Sequence, residues 1–281
     1  MVPVPTVGRI VSVQRPVRLG DASPGGRLRF DALARMLQDV ANDDANAAVA
    51  DSMSWVVRRV AIEVHQSGVF NEMLTLTTFC GGLGSRWAQR RTSITGDRGA
   101  RIEAAALWVH LDMDTMRPKV LGSDFVQMYG EAAGGRTVRA RLLHDDPPST
   151  LVGEPYWPRF VDFDVLGHMN NAAYWNAIEQ ELSERPALRH PLRAEIEYRQ
   201  GIEPHHSAHL VHVAIDPTTG AAGIERTLSR NTLPTPVSRQ SSPADISVDA
   251  PGGESGGGDG FALWFVDGTT VFASARVWRT S

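Results

Sequence analysis

Asp164, Gly167, His168, Asn170 and Asn171 stand in one short run, Asp162-Phe163-Asp164-Val165-Leu166-Gly167-His168-Met169-Asn170-Asn171-Ala172-Ala173-Tyr174-Trp175, and their types suit attack on a carbonyl. A carbonyl under attack becomes an oxyanion and needs donors where that charge develops. If the run opens a helix, Gly167 leaves room for close approach. The backbone N–H groups of Gly167 and His168 then project from the positive end of the helix dipole. Asp164, on the turn that feeds the helix, supplies a carboxylate able to act as general base on water or as a nucleophile. Each residue also has a structural use. Asp164 fits an N-cap or turn aspartate, His168 a hydrogen bond within the turn, and Asn170 the satisfying of orphan backbone donors. Asn171 fits that role or the positioning of substrate or water, and Tyr174 and Trp175 read as core.

The elements that must hold this run can be read from periodicity. Before it, Val11, Val13, Val17 and Leu19 mark a strand over residues 8–19, and the turn-rich Asp21-Ala22-Ser23-Pro24-Gly25-Gly26 follows. Phe30, Leu33, Leu37 and Val40 then predict a helix reaching to about Ala50. Strands are expected from Trp55 to Val64, around Leu74 and Leu76 up to Gly81-Gly82, from Arg86 to Ile94, and from Ile102 to Leu111. The second half repeats the order. A strand near Tyr156–Val161 leads into the turn, a helix runs from about His168 to Ser183, and strands follow at Ala194–Glu203, Ala208–Ile215 and Ala221–Leu228. Phe261–Val266 and Thr270–Trp278 flank Asp267-Gly268, a hairpin signal. The fold class is therefore α+β, built as two similar units at 1–145 and 146–281. Residues 231–260, rich in Ser, Pro and Gly, bury too little apolar surface to offset ordering entropy and read as a disordered insertion.

The chain's 281 residues allow two domains, and 42% hydrophobic with 21% charged residues places it among packed globular proteins. A net charge of -4 argues against a dedicated nucleic-acid or polybasic membrane binder. The lone cysteine, Cys80, excludes an intrachain disulfide framework and reads as structural. No apolar stretch long enough to span a membrane occurs, and Met1-Val2-Pro3-Val4-Pro5 lacks the look of a secretion signal, so a cytoplasmic location is expected. No phosphate-binding loop or zinc spacing is present; His205, His206 and His209 form a small cluster without an acidic or cysteine partner at ligand spacing.

The Asp-x-x-Gly-His-x-Asn-Asn-x-x-Tyr pattern, between a short strand and an amphipathic helix, resembles the hotdog-fold thioesterases. The duplicated unit, the Trp55–Val64 strand, Trp108-Val109-His110-Leu111-Asp112 leading to Thr115-Met116-Arg117-Pro118, and Ile196-Glu197-Tyr198-Arg199 extend the likeness to the acyl-ACP thioesterases, which are double hotdogs. The resemblance implies a tandem hotdog fold and an enzyme that hydrolyses acyl-ACP to free fatty acid in fatty acid biosynthesis. It implies no cofactor or metal, and an acyl carrier protein or CoA thioester as partner substrate. Catalysis falls to Asp164 and His168, with Gly167 and Asn171 at the oxyanion or substrate. The family's plant members carry Asn where Leu166 stands, and a Glu-Cys pair where Gly201-Ile202 stands. An acyl-CoA thioesterase or a non-catalytic acyl-thioester binding protein is therefore the alternative. A dehydratase is disfavoured by the absence of a Gly-Asp-x-Asn-Pro-x-His pattern.

Strand alternation places Glu203 on the face of Gly201, so Glu203 is the expected substitute for the missing glutamate. The first unit, with Asp21 in the matching turn but Ser23-Pro24-Gly25-Gly26-Arg27 after it, is expected to shape an acyl tunnel, with Met36 and Leu37 as wall positions. Arg86, Arg90, Arg91, Arg136, Arg139 and Arg141 are the basic candidates for an acidic carrier. A monomer and a homodimer are both compatible with the paired units.

Overall fold

The structure, a computed structural model, describes residues 2–48, 54–215 and 260–280. The first half supplies strands β1 (Ile10–Pro16), β2 (Trp55–Gln66), β3 (Met73–Leu83), β4 (Trp87–Gly96), β5 (Arg101–Asp112) and the two-residue β6 (Arg117–Pro118), with helices α1 (Phe30–Ala47) and α2 (Ser123–Ala133). The second half supplies β7 (Glu154–Pro155), helix α3 (Trp175–Ser183), β8 (Leu192–Tyr198), β9 (His209–Ile215), β10 (Gly260–Asp267) and β11 (Thr270–Arg279). All strands join one sheet in the order β1-β3-β4-β5-β2-β8-β11-β10-β9-β7, with β6 beside β5. The order reads as one unit and its mirror. The seam is the antiparallel pair β2–β8, where Ala61 lies opposite Glu195.

Each half wraps its sheet around a helix, giving two hotdog units in tandem. Of the predicted α1 stripe, Phe30, Leu33 and Val40 are buried and Leu37 is half-buried against the core, with Met36 buried beside it. On α3, Ile178 and Leu182 are buried after Trp175. The helices meet through Phe30 and Trp175, whose rings stack at 5.7 Å. A single apolar cluster spans both halves, including Ile62, Ile94, Ile196, Phe261 and Phe272.

Several boundaries differ from the sequence expectation. The strand expected at Tyr156–Val161 is β7 followed by a 3-10 turn, Phe160–Asp162, because the Asp162 carboxylate takes the Arg159 N–H at 2.7 Å and curls the chain. The helix expected from His168 begins at Trp175, since residues 163–169 close a reversing turn through the Phe163–Met169 bridge. The strand expected to reach Glu203 ends at Tyr198, where the N–H groups of Arg199 and Gln200 both turn to the Phe272 carbonyl. Gly81 and Gly82 lie inside β3 rather than after it, and a bulge falls between Cys80 and Gly82. A side chain at Gly82 would meet Val138 and the Arg136 carbonyl, so this glycine lets the segment after α2 dock on β3. Helix α2, with no counterpart in the sequence expectation, packs Tyr129, Ala132 and Ala133 on Phe79 and Cys80. The Asp267-Gly268 hairpin forms as read, with Gly268 at φ 57°. The expected strand at 221–228 and insertion at 231–260 lie outside the described residues.

The connection between the halves crosses the outer face of the seam. Fully buried Glu197 accepts the N–H groups of Leu143 at 2.7 Å and His144 at 3.0 Å, with Arg59 at 3.9 Å. His144 meets the Ser274 hydroxyl at 3.0 Å and Glu195 at 3.6 Å, while the Asp145 carbonyl takes the Trp264 indole N–H. Truncating Glu197 to Ala strands the buried His144 N–H and the part-buried Leu143 N–H and leaves Arg59 without its carboxylate, at a cost of roughly 3 kcal/mol. Thermal denaturation should register this as a Tm lower by about 6–12 °C for a chain of this size, and an unchanged Tm would show that the strap does not need its carboxylate.

Candidate active site

The Asp164 turn is built by local hydrogen bonds. The Asp164 N–H donates to the His168 carbonyl at 2.9 Å and the Gly167 N–H to the Asp164 carbonyl at 3.0 Å, with Gly167 at φ 77°, a left-handed position that suits glycine. The Asp164 carboxylate accepts the Leu166 N–H at 3.0 Å. The Met169 N–H bonds to the Ile202 carbonyl and the Asn170 N–H to the Asp162 carbonyl, which ties the turn to the chain after β8. Gly167 therefore spends its N–H inside the turn, and the helix expected to open at His168 starts at Trp175 instead, while the His168 N–H has no partner among the described residues. Of the turn residues that line the cavity described next, Val165 and Asn171 have backbone N–H groups without a partner among the described residues.

Asp164, Val165, Leu166 and Asn171 form one wall of a cavity of about 340 Å³. The other walls come from the first half: Gln38, Ala41, Asn42 and Ala45 of α1, Ala88 and Arg90 of β4, Trp108 of β5, and Phe125 and Tyr129 of α2. A narrower pocket of about 40 Å³ shares Gln38, Ala41, Arg90, Trp108 and Asn171 with it and runs inward past Ala34, Leu37, Ala104 and Ala106 to Trp175 and Tyr198. The space exists because alanines occupy positions where larger side chains would fill the gap between helix and sheet. Trp55, Phe125 and Tyr129 close the far end, their successive ring centroids 4.9 and 4.7 Å apart. Of the two expected wall residues, Leu37 lines the inner pocket and Met36 instead packs in the core.

His168 and Glu203 come together, Nε2 to Oε1 at 3.6 Å, both half exposed and outside the residues lining the cavity. Glu203 thus arrives beside His168 by a bend after β8, not along an extended strand face. A Cβ at Gly201 would lie 2.5 Å from His168 Cδ2, so the imidazole occupies the space that a side chain at Gly201 would need. The other Glu203 oxygen is 3.4 Å from His205 Nδ1, an acidic neighbour that spacing alone did not provide, and His206 accepts the Glu203 N–H at 2.8 Å. Among the described residues no group of three or more His, Cys, Asp or Glu is arranged to hold a metal ion. Behind the turn, the Tyr174 hydroxyl accepts the Ile202 N–H at 3.2 Å and burial, aided by the Asp164 charge, pushes its pKa up to about 12. The Tyr198 hydroxyl donates to the Asn171 carbonyl at 2.8 Å and fixes that peptide's orientation. Burial pushes the Cys80 thiol up from its ordinary value, against thiolate character.

The arginine set divides. Arg90 pairs with buried Asp44 at 2.7 Å, where the Tyr129 hydroxyl and Arg9 also converge, and Arg136 is spent on the Gly81 and Ala132 carbonyls. Arg91 is buried beside Glu103. These three are corrected from surface candidates to internal ties, while Arg86, Arg139 and Arg141 are exposed.

The two halves repeat the backbone bonds of the turn. Arg18 donates its N–H to Asp21 as Arg159 does to Asp162. The Ser23 N–H meets the Arg27 carbonyl at 2.7 Å and the Gly26 N–H the Ser23 carbonyl at 2.8 Å, with Gly26 at φ 79°. Asp21 therefore corresponds to Asp162, which corrects the sequence alignment, and Ser23 stands where Asp164 stands. The first half's turn lacks the carboxylate.

Two family models match this chain: the acyl-ACP thioesterase N-terminal domain over residues 11–129 and the acyl-ACP thioesterase C-terminal domain over residues 148–230. An uncharacterised protein of Mycobacterium tuberculosis (strain H37Rv) is 28% identical over 201 residues, covering 71% of this chain and 80% of that protein. The solved 12:0-ACP thioesterase from Umbellularia californica is similar in fold, with a TM-score of 0.67 at 16% identity over 96% of each chain. An acyl-ACP thioesterase from Bacteroides thetaiotaomicron has a TM-score of 0.63 at 16% identity, covering 96% of this chain and 97% of its own.

Proposed function

Since this chain belongs to the acyl-ACP thioesterase family and is a thioester hydrolase, we propose that it releases a free fatty acid from acyl-ACP with Asp164 as its base. The observation that carries the assignment is the Asp164 carboxylate in the wall of a cavity that runs from the turn into the first half. The acyl chain enters between α1 and the first half's strands, the carbonyl stops at Asp164, and the carrier stays outside. Asp164 takes a proton from water, the hydroxide adds to the carbonyl carbon, and the oxyanion meets the Asn171 N–H. The C–S bond then breaks and the proton passes to the departing thiolate. Hydrolysis exchanges C–S for C–O without net oxidation, so these residues suffice.

His168 orients water and the leaving group at the mouth, and Glu203 holds His168, replacing the glutamate absent at Gly201. The exposed Arg86, Arg139 and Arg141 are the basic residues offered to an acidic carrier. We assign the reaction to fatty acid biosynthesis in the cytoplasm, the halves to 1–145 and 146–281, and the assembly to a monomer or homodimer.

The test is thiol release from C8 to C18 acyl-ACP and acyl-CoA substrates. Preference for acyl-ACP supports the reading; preference for acyl-CoA makes the chain an acyl-CoA thioesterase, and tight binding without turnover makes it a binding protein. In the same assay Glu203→Gln should lower kcat on the order of tenfold with KM little changed. Full rate in that variant removes Glu203 from the machinery.

A further inference from the structure

The repeat between the halves exposes a residue that the sequence left unmarked. In the first half's turn, the Phe30 N–H donates to Glu179 Oε2 at 2.9 Å, and Glu179 also pairs with Arg27. A carboxylate from the other half's helix thus sits on this N–H, in the place an oxyanion would take. The register Ser23 to Asp164 carries Arg27 to His168, Phe30 to Asn171 and Gln38 to Glu179, without a gap.

In the second half the same position is differently made. Asn171 supplies the N–H, which has no partner among the described residues, and α1 supplies Gln38 where α3 supplied Glu179. Gln38 and Asn171 line both the main cavity and its inner pocket, and Asp164 shares the main one. A glutamate can only accept on the Asn171 N–H, and would fill the anion position from within. A glutamine carries no charge and offers two N–H donors.

We infer that Gln38 is a catalytic residue: its side-chain amide and the Asn171 N–H together receive the oxyanion formed from the substrate carbonyl. The inference rests on the hydrolase reading above and adds to it that the site is assembled from both halves. The Glu179 carboxylate on Phe30 is the internal counterpart of the bound transition state, and the exchange of Glu for Gln is what leaves the working position open. Donors aimed at an oxyanion are worth most where water is excluded, which the α1 wall provides.

The test uses the full chain on the acyl-ACP that the wild type turns over. Gln38→Ala should lower kcat about 10²-fold with KM within about threefold, the loss expected for one oxyanion donor. Gln38→Glu, nearly the same shape, should fall further, because its carboxylate takes the Asn171 N–H as Glu179 takes that of Phe30. Calorimetric titration with dodecanoate gives a second readout: Gln38→Glu should bind this carboxylate at least about tenfold more weakly than wild type, through like-charge repulsion at the shared N–H. An unchanged melting temperature in both variants excludes a packing effect. Wild-type kcat in Gln38→Glu, or unaltered dodecanoate affinity, overturns the role of Gln38. If the Gln38 variants keep wild-type rates while Asp164→Asn is inactive, only this inference fails; if Asp164→Asn keeps its rate, the hydrolase mechanism fails with it.

Discussion

Asp164→Asn is expected to lower kcat by about 10³-fold while KM stays within about threefold, the signature of a group that acts in the transition state rather than in binding. The substitution is conservative for the fold. An asparagine Oδ1 still accepts the Leu166 N–H, and the turn's other bonds, from the Asp164 and Gly167 N–H groups, are backbone to backbone. What it removes is the proton acceptor. Steady-state hydrolysis of the best acyl-ACP measures this, with single-turnover mixing to separate chemistry from product release. A variant retaining more than about a tenth of the rate would place the base elsewhere, since general bases typically contribute 10²-fold or more. Asp162 is no substitute: it is buried, and its carboxylate is held by the Arg159 side chain and N–H.

Ala41→Phe is expected to divide substrates by length. Ala41 is buried on α1 and touches both the main cavity and the inner pocket, so a benzyl group there closes the throat between them. Overpacking a filled site costs about 1–3 kcal/mol, and that cost converts to roughly 5- to 150-fold in rate. A C8 chain that ends before the throat should lose no more than about threefold, while a C16 chain that must pass it loses about 100-fold. Rates across a C8 to C16 panel check the ratio. A uniform fall at every length would mean that α1 had shifted as a whole, and an unchanged profile would mean that the acyl chain runs elsewhere.

These two positions differ in how readable they are from sequence. Asp164 stands out because its chemistry is local: a carboxylate, a glycine and a histidine within one turn, closed by the Asp164 N–H to the His168 carbonyl and the Gly167 N–H to the Asp164 carbonyl. The α1 stripe and the Asp267-Gly268 hairpin are legible for the same reason. Ala41 and Gln38 are not, since an alanine or a glutamine on a helix acquires meaning only from what lies across the gap. The run of alanines at 104–106, with Ala88 on the neighbouring strand, is the one sequence trace of that gap. Helix α2 has signals in Gly122, Gly134 and the spacing of Phe125 to Tyr129, but that short stripe stands outside the repeated order of strands and helix from which the elements are read. The start of α3 was misplaced because Asn170 and Asn171 look like helix openers, whereas the Phe163–Met169 bridge, a tertiary arrangement around Ile202, holds that stretch as a turn. Glu203 shows the limit of strand alternation, which puts it on the face of Gly201: the strand ends at Tyr198, and the bend after it brings the carboxylate to 3.6 Å from His168.

The β2–β8 seam gives the two halves the relation that identical subunits have across a two-fold axis, but with one tether between them. In a pair of identical chains, the residues facing the two turns would be encoded once, and any change at one pole would appear at the other. Here Gln38 and Glu179 are separate codons. One pole is therefore free to keep an open position for chemistry, while the other closes on itself through Arg27, Phe30 and Glu179 and clasps the two helices together. Covalent linkage holds the halves at a fixed, high local concentration, so this asymmetry does not depend on how much protein is present. The duplication has been put to use by making its two copies unequal.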